Sequence, residues 1–121
     1  MNLIAHVEIP ATDLNRAMRF YSAVFGVNFG DVVTIHNNKM AYFPFEEGRD
    51  GASGALVKGD VYVPTQNGAI IYLSVQDIDD VLTKAVAQGS AILFPKTPIN
   101  ENGFVAEIAD SEGNRIAIQS V

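Results

Sequence analysis

A strand–helix pattern that occurs twice, 64 residues apart, constrains the fold more than any other feature of this sequence. In the first copy, Thr12 or Asp13 precedes a helical repeat of apolar residues, and Gly26 follows it. In the second copy, Asp77 and Gly89 take these places. Such polar residues favour helix starts because their oxygens accept backbone N–H groups, and glycine favours helix ends. Two copies at this period indicate a duplicated half-domain rather than a solenoid.

Each copy predicts one helix and four strands in the order βαβββ. Residues 3–9 alternate between two kinds of side chain, which is typical of a half-buried strand. The strands of the first copy are expected at about 3–9, 28–36, 39–46 and 53–58. Those of the second copy are expected at about 69–75, 91–94, 103–109 and 114–120. A polar loop, 95–103, is predicted between strands six and seven.

One helix can cover only one face of a four-stranded sheet, so each copy leaves its other face open. We predict a single domain, 1–121, of the α+β class. It consists of a first βαβββ module (1–58), a linker (59–67) and a second βαβββ module (68–121). If the open faces curl, they enclose a cavity.

Composition and charge exclude several classes of function. The 121 residues include no cysteine, which excludes disulfides, thiolate nucleophiles, zinc fingers and iron–sulfur clusters. The net charge is −6, so we expect no nucleic-acid partner, because phosphate binding needs clustered positive charge. The sequence has no signal-peptide pattern and no apolar run near the ~20 residues that cross a bilayer. We therefore predict a cytoplasmic protein without a membrane partner.

Three stretches resemble the vicinal oxygen chelate superfamily, the group of glyoxalase I, bleomycin-resistance proteins and extradiol dioxygenases. They are HVEIPATDLNRAMRFYSAVFG at the start, IIYLSVQDIDDVLTKAVAQG in the middle and FVAEIADSEGNRIAIQS near the end. The single-domain, glyoxalase-related branch of small bacterial proteins is the most similar. The resemblance implies an eight-stranded, incompletely closed barrel around a pocket, often in a homodimer.

The resemblance also implies four inward positions, which hold a divalent metal in the metalloenzymes of the family. His6 matches the first of them. The others match Ile70, Ala117 and, in the last strand of module one, Gly54 or Leu56. These residues offer no side-chain ligand, whereas a divalent ion needs several oxygen or nitrogen donors. We therefore predict no metal and no other cofactor, with His6 as the only matched metal position.

Two other histidine arrangements are possible alternatives for a metal. His6, Glu8 and Glu107 form a substitute group on paper, although no motif supports it. The second histidine, His36, adjoins the predicted turn HNNK. We interpret His36 as a solvent-exposed turn residue rather than a ligand.

Strand alternation places His6 and Glu8 on one face of the first strand. Histidine can exchange a proton near neutral pH, and a neighbouring carboxylate can orient its imidazole. We predict that His6 and Glu8 are catalytic residues that move a proton next to a carbonyl. The alternative is that this pair is hydrated or bonds to neighbouring strands.

A second polar group is predicted to bind the ligand. Arg115 offers a planar fork of donors that suits a carboxylate or an amide. Further inward positions contribute polar or aromatic side chains: Tyr42, Tyr72, Ser74 and Gln119. The alternative for Arg115 is an ion pair with Asp110 or Glu112, near the turn DSEGN.

For two strands, the sequence does not decide which alternate side chains point into the pocket. The third strand presents either one or the other of two sets: Met40 and Tyr42, or Ala41, Phe43 and Phe45. The seventh strand likewise presents one of two pairs: Phe104 and Ala106, or Val105 and Glu107. Either choice gives a mixture of apolar, aromatic and polar groups, as small-molecule pockets usually have.

Two functions suit such a pocket, and both imply a small-molecule ligand. An inert dimerisation or regulatory module is a third alternative. The first is a metal-independent, lyase- or isomerase-like enzyme of the glyoxalase-related class, acting on a small oxygen-bearing metabolite. The second is a non-catalytic protein that sequesters its ligand, as the antibiotic-resistance relatives do. The unmatched metal positions favour binding over metal-dependent catalysis.

Overall fold

The chain folds as two βαβββ units in a computed structural model that describes residues 2–48 and 50–120. The elements of module one are β1 (His6–Pro10), α1 (Leu14–Phe25), β2 (Val33–Ile35), β3 (Asn38–Tyr42) and β4 (Ser53–Lys58). The elements of module two are β5 (Ile71–Ser74), α2 (Ile78–Ala87), β6 (Ile92–Pro98), β7 (Phe104–Ala109) and β8 (Arg115–Ser120). The predicted α+β class and element order are confirmed.

Each module forms its own four-stranded sheet. Sheet A has the strand order β1-β4-β3-β2, and sheet B has the order β5-β8-β7-β6. In both sheets the first strand pairs in parallel with the last, and the other neighbours are antiparallel. Within the described part of the chain, no strand of sheet A pairs with a strand of sheet B, so the barrel is not closed.

The helix starts use the two aspartates in the same way. Asp13, rather than Thr12, caps α1, because its carboxylate accepts the N–H of Arg16 at 3.0 Å. Asp77 caps α2 and accepts the N–H of Asp80 at 3.1 Å. The equivalent caps explain why the 64-residue repeat is visible in the sequence.

Both helices and the helix-facing sides of both sheets share one hydrophobic core. The helices contribute buried residues at helical spacing: Leu14, Ala17, Phe20, Tyr21, Val24, Ile78, Val81 and Ala85. The strands contribute Ile9, Ala41, Leu56, Ala106, Ile108, Ile116 and Ile118. The two helices also contact each other. The second face of each sheet therefore points away from this core.

Four strands are shorter than predicted by two residues or more, including β5, which covers Ile71–Ser74 instead of 69–75. β1 begins at His6 rather than at residue 3, because its parallel partner begins opposite it, at Ser53. Leu3, which precedes it, is 96% exposed. β2 covers only Val33–Ile35, and β3 ends at Tyr42. Proline has no N–H to donate, so Pro44 ends the pairing of β3 soon afterwards.

β6 is longer than predicted. It continues past Pro95 and ends at Pro98. It lies at the edge of sheet B, and its register with β7 shifts twice, between Ile92 and Phe94 and between Phe94 and Thr97. Edge positions and bulges tolerate proline, since some N–H groups there need no strand partner. The predicted loop 95–103 is thereby reduced to residues 99–103.

The hairpin between β2 and β3 turns on His36 and Asn37. Their φ angles are 50° and 66°, as a type I′ turn requires at its two central residues. His36 is exposed, so its interpretation as a turn residue is confirmed.

The turn between β7 and β8 joins the two modules. Asp110 is 6% exposed and accepts the hydroxyl of Tyr21, in α1, at 2.7 Å. Asn114 donates from Nδ2 to the carbonyl of Pro10 at 2.7 Å. Burial and the nearby Asp110 carboxylate raise the pKa of Tyr21 well above its ordinary value. Tyr21 therefore remains a hydrogen-bond donor across the usual pH range.

Glu112, in the same turn, holds the start of α1. Its buried carboxylate accepts both N–H groups of Thr12 and Asp13, at 2.9 and 2.8 Å, and the guanidinium of Arg16 at 2.8 Å. Burial acts to raise the pKa of Glu112, but the bonds from Arg16, Asp13 and Ser111 outweigh it and lower that pKa. The turn thus fixes module one against module two.

Candidate functional site

The face of sheet A that points away from the core, which we call open face A, carries the predicted catalytic pair. The register of β1 with β4 places Ser53 beside His6 and Ala55 beside Glu8. Tyr42 lies opposite Ala55 in the next strand pair. The third strand therefore presents Met40 and Tyr42 here, since Ala41 is in the core. Open face A comprises His6, Glu8, Met40, Tyr42, Ser53, Ala55 and Val57.

Ser53 contacts the imidazole of His6. Ser53 Oγ lies 2.7 Å from His6 Nδ1 and 3.2 Å from the carbonyl oxygen of Ala5, to which its hydroxyl can donate. A hydroxyl has one hydrogen, so when Ala5 receives it, Ser53 Oγ accepts from Nδ1–H and Nε2 of the neutral ring keeps its lone pair.

Glu8 lies next to that nitrogen. Its Oε2 is 3.7 Å from His6 Nε2, and its Oε1 accepts the hydroxyl of Tyr62 at 2.7 Å. The hydrogen bond to Glu8 raises the pKa of Tyr62 above its ordinary value. The side chains of His6 and Glu8 are 34% and 31% exposed, so a ligand can reach both. Once Nε2 is protonated, the carboxylate stabilises the resulting charge.

The corresponding face of sheet B, open face B, carries the predicted binding residues. Tyr72 lies opposite Ala117, and Ser74 lies opposite Gln119. The seventh strand presents Val105 and Glu107 on this face, since Ala106 is in the core. Open face B comprises Tyr72, Ser74, Val105, Glu107, Arg115, Ala117 and Gln119.

Arg115 forms an ion pair on open face B, but its partner is neither Asp110 nor Glu112. Its Nε donates to Glu107 Oε1, and the two side chains are 30% and 15% exposed. The alternative pairing with Asp110 or Glu112 is wrong, because those carboxylates bind Tyr21 and Arg16 instead. No described residue bonds the two terminal amino groups of Arg115, so both can reach a ligand.

The family of the chain follows from its sequence as a whole. The model of the glyoxalase/bleomycin resistance protein/dioxygenase superfamily matches residues 3–118. The chain belongs to this superfamily. No curated protein matches the chain. None of the described helices is long and apolar enough to cross a membrane.

Solved structures of the superfamily share the fold. A domain from Frankia sp. EAN1pec has a TM-score of 0.74 at 16% identity, with 99% of this chain and 98% of that chain covered. A mutant fosfomycin resistance protein from Listeria monocytogenes, complexed with Mn(II) and 1S,2S-dihydroxypropylphosphonic acid, has a TM-score of 0.73 at 17% identity, with coverages of 99% and 92%. Mutant glyoxalase I from Zea mays has a TM-score of 0.71 at 17% identity, with 96% of this chain and 46% of that chain covered. At these identities the similarity shows the fold alone.

Neither residue expected at the metal position in β4, Gly54 or Leu56, faces open face A. Leu56 is fully buried in the core, and a side chain at Gly54 would meet Val7 on the same side. The residue between them, Ala55, is the one on open face A. Ala55 lies opposite Glu8 as Ala117 lies opposite Tyr72. The structurally equivalent position is therefore Ala55, and it supplies no ligand either.

The four positions that the resemblance implies for a metal thus fall on His6, Ile70, Ala55 and Ala117. Only His6 has a donor atom, and a single imidazole does not hold a divalent ion in fixed geometry. Among residues 2–48 and 50–120, no three histidine, aspartate or glutamate side chains are grouped to hold a metal. The substitute set with Glu107 is not such a group within one chain. These residues do not fit a catalytic metal.

Sequence reasoning missed Ser53 and Tyr62. Ser53 reaches His6 only through the parallel register of β1 and β4, which joins residues 47 positions apart. Tyr62 belongs to the linker, which the sequence pattern assigned to neither module. Ser53 thus contacts His6, and Tyr62 donates a hydrogen bond to Glu8.

One chain leaves both open faces accessible. Tyr42 and Tyr72 are 39% and 52% exposed. A cleft of about 560 Å³ lies between the end of α1 and the start of α2, and its lining includes Phe25, Val81 and Ser74. Among the predicted catalytic and binding residues, Ser74 is the one that lines this cleft.

Proposed function

We propose that this superfamily member is a metal-independent enzyme of the lyase or isomerase type, located in the cytoplasm. It removes and returns a proton next to a carbonyl of a small oxygen-bearing metabolite. His6 Nε2 is the base, and Glu8 stabilises the imidazolium that forms. The observation that carries the proposal is the bond between Ser53 and His6 Nδ1, which can leave the Nε2 lone pair free on an accessible face.

The chemistry requires a base near the working pH and a means to stabilise its charge. Histidine meets the first condition, and the carboxylate of Glu8, 3.7 Å from Nε2, meets the second. The Ser53 bond also fixes the ring plane, so little entropy is lost when a substrate binds. These features need no metal.

We propose that the ligand is held by open face B of a second copy of the chain. The helices lie in the shared core, and the open faces point away from it, so one chain does not enclose a ligand between its own faces. Large apolar side chains are exposed on the same sides of the two sheets. They are Tyr42 and Tyr72, together with Val33, which pairs with Met40, and Phe94, which pairs with Glu107. A homodimer that pairs face A with face B would bury these groups and form the pocket.

In this pocket, Arg115 binds a carboxylate, carbonyl or similar oxygen of the ligand through its terminal amino groups. Side chains from both faces complete the binding surface: Tyr42, Tyr72, Ser74 and Gln119. The Listeria monocytogenes relative is complexed with an oxygen-rich small molecule, which supports a ligand of this size and polarity.

A thermal-shift screen followed by turnover assays tests the proposal. The screen uses aldehydes, hemithioacetals, catechols and glycopeptide drugs, and each stabilising compound is then assayed for conversion. We expect conversion by the native protein and by His36→Gln, but not by His6→Gln. Stabilisation without conversion would instead support the ligand-sequestering function.

Metal analysis of the purified protein is the second test. We expect no stoichiometric nickel, zinc, iron or manganese, and no loss of activity after treatment with a chelator. A full equivalent of metal that disappears in His6→Ala would contradict a metal-independent mechanism.

A further inference from the structure

The linker places one aromatic side chain on open face A. The N–H of Tyr62 donates to the carbonyl of Gly59 at 3.0 Å, and this turn directs the ring back over sheet A. The ring packs against an apolar patch of this face: Met40, Ala55 and Val57. Its neighbours Val61 and Val63 are 83% and 69% exposed. Tyr62 is thus the residue of this segment that turns inward.

The linker is also held at its other end. Asn114 Oδ1 accepts the N–H of Thr65 at 3.1 Å, and the N–H of Arg115 donates to the carbonyl of Thr65 at 3.2 Å. The segment therefore runs between anchored points, from open face A to the first residue of β8. Its path gives Tyr62 a fixed approach to the His6–Glu8 pair.

Tyr62 contacts the pair through one atom. Its hydroxyl donates to Glu8 Oε1 at 2.7 Å, while Glu8 Oε2 lies 3.7 Å from His6 Nε2. Glutamate has several rotatable bonds, and a partly exposed carboxylate samples many orientations unless one oxygen is held. The bond to Oε1 therefore selects the orientation in which Oε2 faces the imidazole.

We propose that Tyr62 is a positioning residue of the His6 site. It acts through Glu8, whose carboxylate it holds against His6 Nε2, and so determines how well a proton on Nε2 is stabilised. This inference rests on the proposed function and adds to it a residue from outside the two sheets. The connection between the modules thereby contributes to the chemistry of the first one.

A purely structural role for Tyr62 would depend on its ring, which covers the apolar patch. Tyr62→Phe keeps the ring and removes only the hydroxyl, so it separates the two roles. Val63→Ala is the matched control, because Val63 lies one residue further along and is exposed. Circular dichroism and thermal melts establish that each variant is folded.

The experiment records ¹⁵N spectra of the histidine side chains at constant pH. The chain has two histidines, so exposed His36 is an internal reference. We expect Glu8→Gln to move the His6 Nε2 resonance and Tyr62→Phe to move it in the same direction by a smaller amount. In the double variant, Tyr62→Phe should add nothing to Glu8→Gln. Val63→Ala should leave both histidines unchanged.

Two results would overturn the inference: an unchanged His6 resonance in Tyr62→Phe, or the same Tyr62→Phe shift in the Glu8→Gln background. If Tyr62→Phe does not fold, an alkaline absorbance titration of Glu8→Gln decides instead. Loss of the carboxylate should let Tyr62 ionise at lower pH, and an unaltered titration would contradict the contact. Neither readout uses a substrate, so a failure of the proposed turnover would be recognised separately.

Discussion

Open faces A and B share a backbone plan but differ in chemistry. In each, the first strand pairs in parallel with the last, and Glu8 and Tyr72 occupy equivalent places, each opposite an alanine. Face A carries an imidazole beside a carboxylate. Face B carries a guanidinium that is paired through Nε, and no described residue bonds its terminal amino groups. The two modules share a scaffold, and the side chains on their open faces differ.

This difference suggests a division of labour between the modules. Positions that face the core kept apolar side chains in both copies, because burial constrains them equally. Positions on the open faces were free of that constraint. Under our proposal, face A moves a proton and face B holds an oxygen-bearing ligand. The division makes separate predictions for the two faces.

The largest effect is expected at His6. His6→Gln removes the base on face A, and we expect kcat to fall by about 10²–10⁴-fold, the usual value of a general base. The ligand dissociation constant should change little, because face B is intact. Steady-state kinetics and calorimetry measure the two effects. A normal kcat in His6→Gln, with His36→Gln as control, would remove the proposed role of face A.

The next effect is expected at Arg115. Arg115→Met removes a charged donor on face B, worth about 1.5–3 kcal/mol, so ligand affinity should fall by roughly 10–150-fold. The change should appear in KM more than in kcat. Arg115→Met combined with Glu107→Gln is the control, since it avoids an unpaired carboxylate. If kcat falls more than affinity, the two faces do not divide the work as described.

A substitution where the β7–β8 turn contacts α1 should lower the stability of the whole chain without changing the side chains of either open face. Tyr21→Phe removes the donor to Asp110, which is 6% exposed, and should lower the free energy of unfolding by about 1–2 kcal/mol. Urea denaturation measures this change. Tyr72→Phe is the matched control, because Tyr72 is 52% exposed and should cost less than about 0.5 kcal/mol. If the two substitutions lowered the free energy of unfolding equally, the Tyr21–Asp110 hydrogen bond would have no special role in holding the modules together.

The smallest effect is expected in the pH dependence of stability. The pKa of Glu112 is lowered in the folded state, so its contribution is full above about pH 4.5 and is lost as the pH falls through the lowered value. Glu112→Gln removes this dependence. We expect the native protein to lose more free energy of unfolding than Glu112→Gln between pH 5 and pH 3. Parallel curves for the two proteins would contradict this account.

The fold could be predicted from sequence where the determinants are local. Asp13, Asp77 and Gly26 marked helix boundaries because caps depend on neighbouring backbone groups. Strand ends were predicted less well. The late start of β1 depends on a partner at Ser53, and the extension of β6 depends on its bulged pairing with β7. Neither is encoded in the strand's own residues.

The candidate site shows the same limit. Alternation placed His6 and Glu8 together, because side chains two apart share a strand face. The contacts of Ser53 with His6 and of Tyr62 with Glu8 span 47 and 54 residues. They arise from parallel pairing and from the path of the linker, which periodicity does not describe. The partner of Arg115 was missed because the neighbouring antiparallel strand, rather than the nearby turn, supplies it.

Face A of one copy and face B of another are proposed to share a site. The most direct test mixes two variants, one impaired in kcat and one in substrate affinity, and assays them at a substrate concentration well below the native KM. His6→Gln and Arg115→Met chains are unfolded together and refolded as a mixture. In a dimer that pairs faces between copies, each mixed dimer has one site with both substitutions and one with neither. We predict that about a quarter of the native activity returns, half of the dimers being mixed. A mixture no more active than the two separate variants would show that the faces do not meet across copies.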